Sequence, residues 1–117
     1  MSALSIAQFG ASEDKAANLH RIQAFAQQAA QSGAKMLFLP EYSMFCAKVN
    51  RRSSNIAAAE PLDGAFISAL GSIARRYDLW LAAGMYERTD GLPYNTIVVL
   101  DECGNLRGAH RKTKLYD

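Results

Sequence analysis

The chain has 117 residues, half of them hydrophobic, and a net charge of +2 from 13 Lys and Arg against 11 Asp and Glu. That length allows one compact domain with a modest core and not two, and charges spread this evenly exclude the concentrated basic face that nucleic acid requires. Apolar runs fall well short of the roughly 20 residues that span a bilayer, and the opening MSALSIAQFG has no basic stretch leading into an apolar one, so the expectation is a cytoplasmic protein.

In chain order, Leu4–Phe9 alternates as a strand does, and Gly10 breaks it. Ser12, followed by Glu13 and Asp14, predicts a helix cap. Leu19, Ile22, Phe25, Ala26 and Ala29 then recur at three- and four-residue intervals on one helical face, and Gly33 stands where a left-handed stop belongs. Met36–Leu39 is a short apolar strand ended by Pro40, which cannot donate a ladder hydrogen bond. From Tyr42 to Glu60 the apolar period dissolves, which predicts mostly loop with at most a short helix.

Pro61-Leu62-Asp63-Gly64 opens a second helix, capped by Asp63, with Phe66, Leu70, Ile73, Ala74 and Tyr77 on one side and Asp78 at its end. Leu79–Met85 is nearly all apolar, as a strand covered on both faces should be. Asn95–Leu100 is β-branched, and Asp101–Asn105 turns the chain into a returning arm over Leu106–Lys112. The order predicts an α/β layer with parallel strands first and an antiparallel edge later. Because the sequence stops at Leu115-Tyr116-Asp117, right after a strand, the expectation is a single, truncated domain spanning 1–117.

Two segments are candidates for chemistry. Glu41 emerges just beyond a buried strand, where ligands bind in α/β sheets and where partial desolvation raises a carboxyl toward general-base values. The alternative is an exposed loop acid. His110-Arg111-Lys112-Thr113-Lys114 is a compact basic cluster in which a lysine could hold a developing oxyanion; the alternative is solvated surface. Tyr42 and Phe45 could line a substrate pocket or pack into the core. Lys48–Arg52 reads as a solvated loop, with an anion-binding wall as the minor alternative.

Cys46 and Cys103 match no zinc or thioredoxin-like spacing, and Met44, Phe45 and Ala47 around Cys46 point to packing. His20 and His110 form no clustered set, so no metal is expected. No Gly-rich phosphate loop follows a strand, so no cofactor is expected either.

Taken together, Pro40-Glu41, the Pro61–Gly64 helix start, Tyr94-Asn95-Thr96 and Arg111-Lys112-Thr113-Lys114-Leu115, in that order, resemble the nitrilase, or carbon–nitrogen hydrolase, superfamily. The resemblance covers essentially the whole chain. It implies the N-terminal half of a four-layer αββα sandwich, with a mixed sheet and helices on one face, in a protein that commonly forms homo-oligomers. It implies a hydrolase of non-peptide C–N bonds in small amides, nitriles or carbamoyl compounds, with Glu41 as base, Lys112 as oxyanion stabiliser and no cofactor. The family's nucleophilic cysteine lies downstream of the lysine segment, and this chain ends before it, so the 117 residues alone are expected to be inactive. Lys114 stands where the family commonly has histidine. The rival reading is a non-catalytic binding or regulatory module on the same half-fold, and a second is a small nucleotide-binding domain using the loop after Phe9.

Overall fold

The computed structural model describes residues 3–112. Its elements are β1 (Leu4–Ile6), α1 (Lys15–Gln31), β2 (Met36–Phe38), α2 (Arg51–Ala58), α3 (Ala65–Tyr77), β3 (Trp80–Glu87), β4 (Tyr94–Leu100) and β5 (Leu106–Arg111). The five strands lie side by side in sequence order. β1, β2 and β3 run parallel, and β3–β4 and β4–β5 are antiparallel. This is the α/β class with the parallel-then-antiparallel sheet that the sequence predicts.

Strand side chains alternate between faces, and that alternation builds the core. Leu37, Leu81 and Leu100 fall in register across three strands, and Ala83 and Val98 across two; all are buried in one cluster with Ile22 and Ala26 of α1 and Phe66 and Leu70 of α3. The opposite face is uneven. At its β1 edge Leu4 and Ile6 are 64% and 74% exposed, and Phe38, in register with Ile6, is also exposed. Farther along, the segment after β2 covers it, burying Ala82 and Tyr86.

Local capping departs from expectation in two places. The cap of α1 is Asp14, whose side chain accepts from the Ala17 amide, while Ser12 supports it by accepting from the Asp14 amide through Oγ. Ser12 is drawn off the helix because its own N–H donates to the Asn18 carboxamide. At α3, Asp63 makes no cap; Glu60 reaches over to accept from the Phe66 amide at 2.7 Å, and Gly64 holds the cap position. Both helix stops are as predicted, with Gly33 at φ +82° and Asp78 at φ 54°. The region from Tyr42 to Glu60 contains the short helix that the sequence allowed, α2, which buries Asn55 and Ala58.

The β4–β5 turn is organised by Asp101. Its Oδ1 accepts from the amides of Cys103 and Asn105, each at 3.0 Å, and Oδ2 accepts from Arg107. No helix among the described residues is long and apolar enough to cross a membrane.

Candidate active site

Glu41 leaves β2 three residues after its last ladder position, and its segment is held against β3 rather than hanging free. The Leu39 amide donates to Ala82 O, and the Met44 amide donates to Gly84 O. Between them the buried Ser43 hydroxyl accepts from Gly84 N at 3.0 Å and donates back to Gly84 O. A serine here therefore completes the ladder of β3 where β2 has ended, so the Gly84 peptide groups are not left orphaned. The other side of the segment is tied to α1, because the buried Asn18 carboxamide donates to Met44 O at 2.9 Å.

Gly84 is the contact that sets Glu41 in place. The Glu41 backbone lies so close over Gly84 that a Cβ built there would fall within the Glu41 carbonyl. Glycine permits this approach because it presents no side chain to that face of the sheet.

Lys112 arrives from the far end of the sequence. β5 brings it back along β4, with the Lys112 amide donating to Asn95 O at 3.0 Å. Its Nζ donates to Glu41 Oε2 in an ion pair between residues 71 positions apart. Asn95, which is 6% exposed, joins the two: its Nδ2 donates to Glu41 Oε2 at 3.2 Å and to the Tyr42 hydroxyl at 3.3 Å. Glu41, Lys112, Asn95 and Tyr42 thus form one connected polar group at the C-terminal end of β2. Asn95 was not picked out from sequence as a site residue, although the Tyr94-Asn95-Thr96 segment was flagged.

The electrostatics run opposite to the simplest expectation for Glu41. The Lys112 ammonium lowers its carboxyl below the usual glutamate range, with Asn95 and Tyr42 acting in the same direction, and this outweighs the upward push of burial. Lys112 is raised in turn by Glu41. At neutral pH the pair is a carboxylate facing an ammonium, so the acid is already a proton acceptor and the lysine already a cation.

Tyr42 is half-buried, stacked on Tyr86 with ring centroids 5.9 Å apart. Phe45 is a core residue set edge-on to the same Tyr86 ring, and it also borders a shallow, open depression between the 13–16 segment and α2. Neither Glu41 nor Lys112 lines that depression. Cys46 is half-buried and Cys103 exposed in the β4–β5 turn. His20 and His110 are exposed, and the described residues hold no group of three or more His, Cys, Asp or Glu side chains placed to bind a metal. Lys114 lies outside the described residues. The loop after β1 does not suit phosphate, since Glu13 and Asp14 stand at the helix start and Asn18 occupies the Ser12 N–H.

On the helix-covered face, beneath Lys112, Arg111 Nε and Nη2 donate to the two oxygens of Glu87 at 2.7 and 2.6 Å, and Thr96 Oγ1 donates to Glu87 Oε1 at 2.9 Å. Arg111 first, then Thr96, holds the Glu87 carboxyl below its usual range against the opposing effect of burial. A depressed folded-state value means this group contributes stability in full above the ordinary glutamate range and loses it as the pH falls from that range through the lowered folded-state value. The stability gap between the native chain and Glu87→Gln is therefore expected to be constant near neutrality and to narrow progressively on acidification below the ordinary glutamate range. Melting temperatures taken across that span would read it, and a gap independent of pH would contradict the pairing.

An α/β layer with an acid–lysine pair at the carboxyl end of a parallel strand is the class of structure these residues build. The carbon-nitrogen hydrolase family model matches residues 3–117, and the chain belongs to that family. Among curated relatives it is 32% identical over 115 residues to the nitrilase and fragile histidine triad fusion protein NitFhit of Drosophila melanogaster, covering 97% of this chain and 25% of that one. It is 28% identical over 117 residues to a citrullinase of Francisella tularensis, covering 97% and 41%. Its fold is similar to that of the C. elegans NitFhit protein, with a TM-score of 0.86 at 22% identity, over 100% of this chain and 30% of that one. A double-mutant form of the amidase from Nesterenkonia sp. AN1, in complex with acrylamide, aligns with a TM-score of 0.75 at 25% identity, over 99% and 44%. The chain thus spans a quarter to about two-fifths of the length of these two curated relatives.

Proposed function

We propose that these residues supply the acid–base half of a thiol hydrolase that cleaves non-peptide C–N bonds in small amides, nitriles or carbamoyl compounds. The observation behind this reading is the ion pair between Glu41 and Lys112, joined through Asn95. The nucleophile is a cysteine from sequence outside these 117 residues. Neither Cys46 nor Cys103 belongs to the polar group, and their surroundings are those of a packed loop and an exposed turn.

In this scheme Glu41 takes the thiol proton as sulfur attacks the carbonyl or nitrile carbon. Charge develops on the substrate oxygen or nitrogen, and the Lys112 ammonium stabilises it more strongly in the transition state than in the ground state. For an amide or carbamoyl compound the proton on Glu41 goes to the departing ammonia or amine; for a nitrile it goes first to the thioimidate nitrogen, and a water adds to that carbon before ammonia leaves. A further water, deprotonated by the same carboxylate, then attacks the thioester and releases the acid, and the proton returns to the cysteine sulfur. Family membership supports small-molecule substrates, and the words citrullinase and amidase in the relatives' names fit amide-like ones. A cytoplasmic location and homo-oligomeric assembly belong to the proposal; the exposed Leu4, Ile6 and Phe38 are apolar surface for such assembly.

The test is ammonia release from a panel of short amides, nitriles and carbamoyl compounds by the longer protein that contains these residues, with the 117-residue chain as control. Turnover by the longer protein and none by the control is the expected result. A longer protein with a cysteine after the lysine segment that turns over nothing in the panel would favour the non-catalytic module instead.

A further inference from the structure

We propose that Arg111 is a positioning residue for Lys112: gripped by Glu87 on the helix-covered face of the sheet, it fixes the end of β5 so that the lysine meets Glu41 on the other face. The inference rests on the hydrolase reading above and names a residue that reading does not use.

Neighbouring strand residues point to opposite faces. Arg111 pairs in register with Thr96 and lies with Thr96 and Glu87, whereas Lys112 lies with Glu41 and Asn95. One residue can therefore hold the strand while the next reaches into the site. The need for a hold follows from the place of β5. Among the described residues it is an edge strand with every residue exposed, joined to β4 at one end by the Asp101 turn, with Lys112 at the end away from that turn. Hairpins fray from the open end, and a lysine stem has many rotamers to lose.

The Arg111–Glu87 contact closes that end. It is a two-pronged guanidinium–carboxylate bond, the geometry that fixes orientation as well as distance. The carboxylate is itself immobilised. Glu87 is 7% exposed, Thr96 fixes one of its oxygens, and its backbone is bridged to Glu60, with Glu60 N donating to Tyr86 O and Arg88 N donating to Glu60 O. The guanidinium also lies over the Tyr94 ring, 5.2 Å from its centroid. Among the described residues the Lys112 backbone is tied to β4 by its amide bond to Asn95 O, and Arg111, the residue before it, is anchored by its side chain as well.

The experiment uses Arg111→Lys in the longer protein, which keeps the charge and loses the fork. Two quantities are read: the titration of the Glu41 carboxyl by NMR, and kcat and KM for amide hydrolysis. The Glu41 titration is expected to move up toward the ordinary carboxylate range, and kcat to fall roughly 10- to 100-fold with KM little changed, as for a reacting group displaced by a fraction of an ångström to an ångström. An unmoved Glu41 titration overturns the inference, because a residue serving only stability or net charge would leave the pair in place. Where Arg111→Lys does not fold, Thr96→Val decides in the same way, since it removes the Thr96 hydrogen bond to Glu87 Oε1, which Arg111 Nε shares, and keeps both charges; its shift is expected in the same direction and smaller. If the longer protein hydrolyses no C–N bond, the hydrolase reading fails on its own, and the titration still decides whether Arg111 places Lys112.

Discussion

Gly84→Ala is expected to cost roughly 3 kcal/mol of folding stability, the upper end of what overpacking usually costs, and to separate Glu41 from Lys112. The reason is steric and local. The new methyl would occupy the Glu41 carbonyl, and backbone cannot give way as the tip of a flexible side chain can. The Glu41 segment is pinned on both sides of that point by Leu39 N to Ala82 O and by Met44 N to Gly84 O, so relief requires breaking part of this ladder. Urea unfolding measures the loss, and the Glu41 carboxyl should at the same time titrate higher because Lys112, the group that lowers it most, has moved away. Gly108→Ala is the control. Gly108 lies in exposed β5 with nothing within 4 Å of a built Cβ, and the change should stay within about 0.5 kcal/mol. Equal losses at the two glycines would show that Gly84 does not set the segment.

Glu41→Gln and Lys112→Met carry the largest expected effect on activity in the longer protein. Removing a general base costs about 10²–10⁴-fold in kcat, and removing one oxyanion-stabilising group about 10²–10³-fold. Because the two groups act on one intermediate, the double variant should lose much less than the product of the single losses. Folding is expected to change little in either single variant. Both side chains are more than one-third exposed, and ion pairs in such positions contribute little to stability. Steady-state kinetics with thermal melts as a companion separates these outcomes. A Glu41→Gln protein that keeps kcat within threefold of the parent would remove Glu41 from the chemistry.

These two predictions draw on different layers of information. Glu41 could be singled out from the chain alone, because Pro40 ends a strand and places the next residue at its carboxyl end. The direction of its pKa could not. Burial alone argues for a rise, and the observed lowering comes first from Lys112, 71 positions away. Gly84 likewise read as one more apolar-strand residue within Leu79–Met85, since nothing in its neighbours announces that another segment will cross it. Asn95 stood inside a flagged segment, but its bond to Glu41 depends on β4 lying beside β3 in one register.

The capping departures have the same origin. Ser12 and Asp63 have good capping chemistry, and each was displaced by a competitor that the fold brought near, Asp14 beside the Asn18-bound Ser12 and Glu60 from the bridge to Glu87. α2, allowed in the sequence only as a short helix within a loop, could not be given bounds because its buried positions, Asn55 and Ala58, are polar and small.

By itself the sequence determined the order of the five strands, α1 and α3, the apolar character of Leu79–Met85, and the stops of α1 and α3. These follow from side-chain periods and backbone preferences that act over a few neighbouring residues. Only the tertiary structure decided that Glu41 and Lys112 meet, that Asn95 links them, and that Glu87 grips Arg111 beneath them. Each depends on which strands pair and in what register, a choice made by burial of the whole sheet face and invisible in any short window.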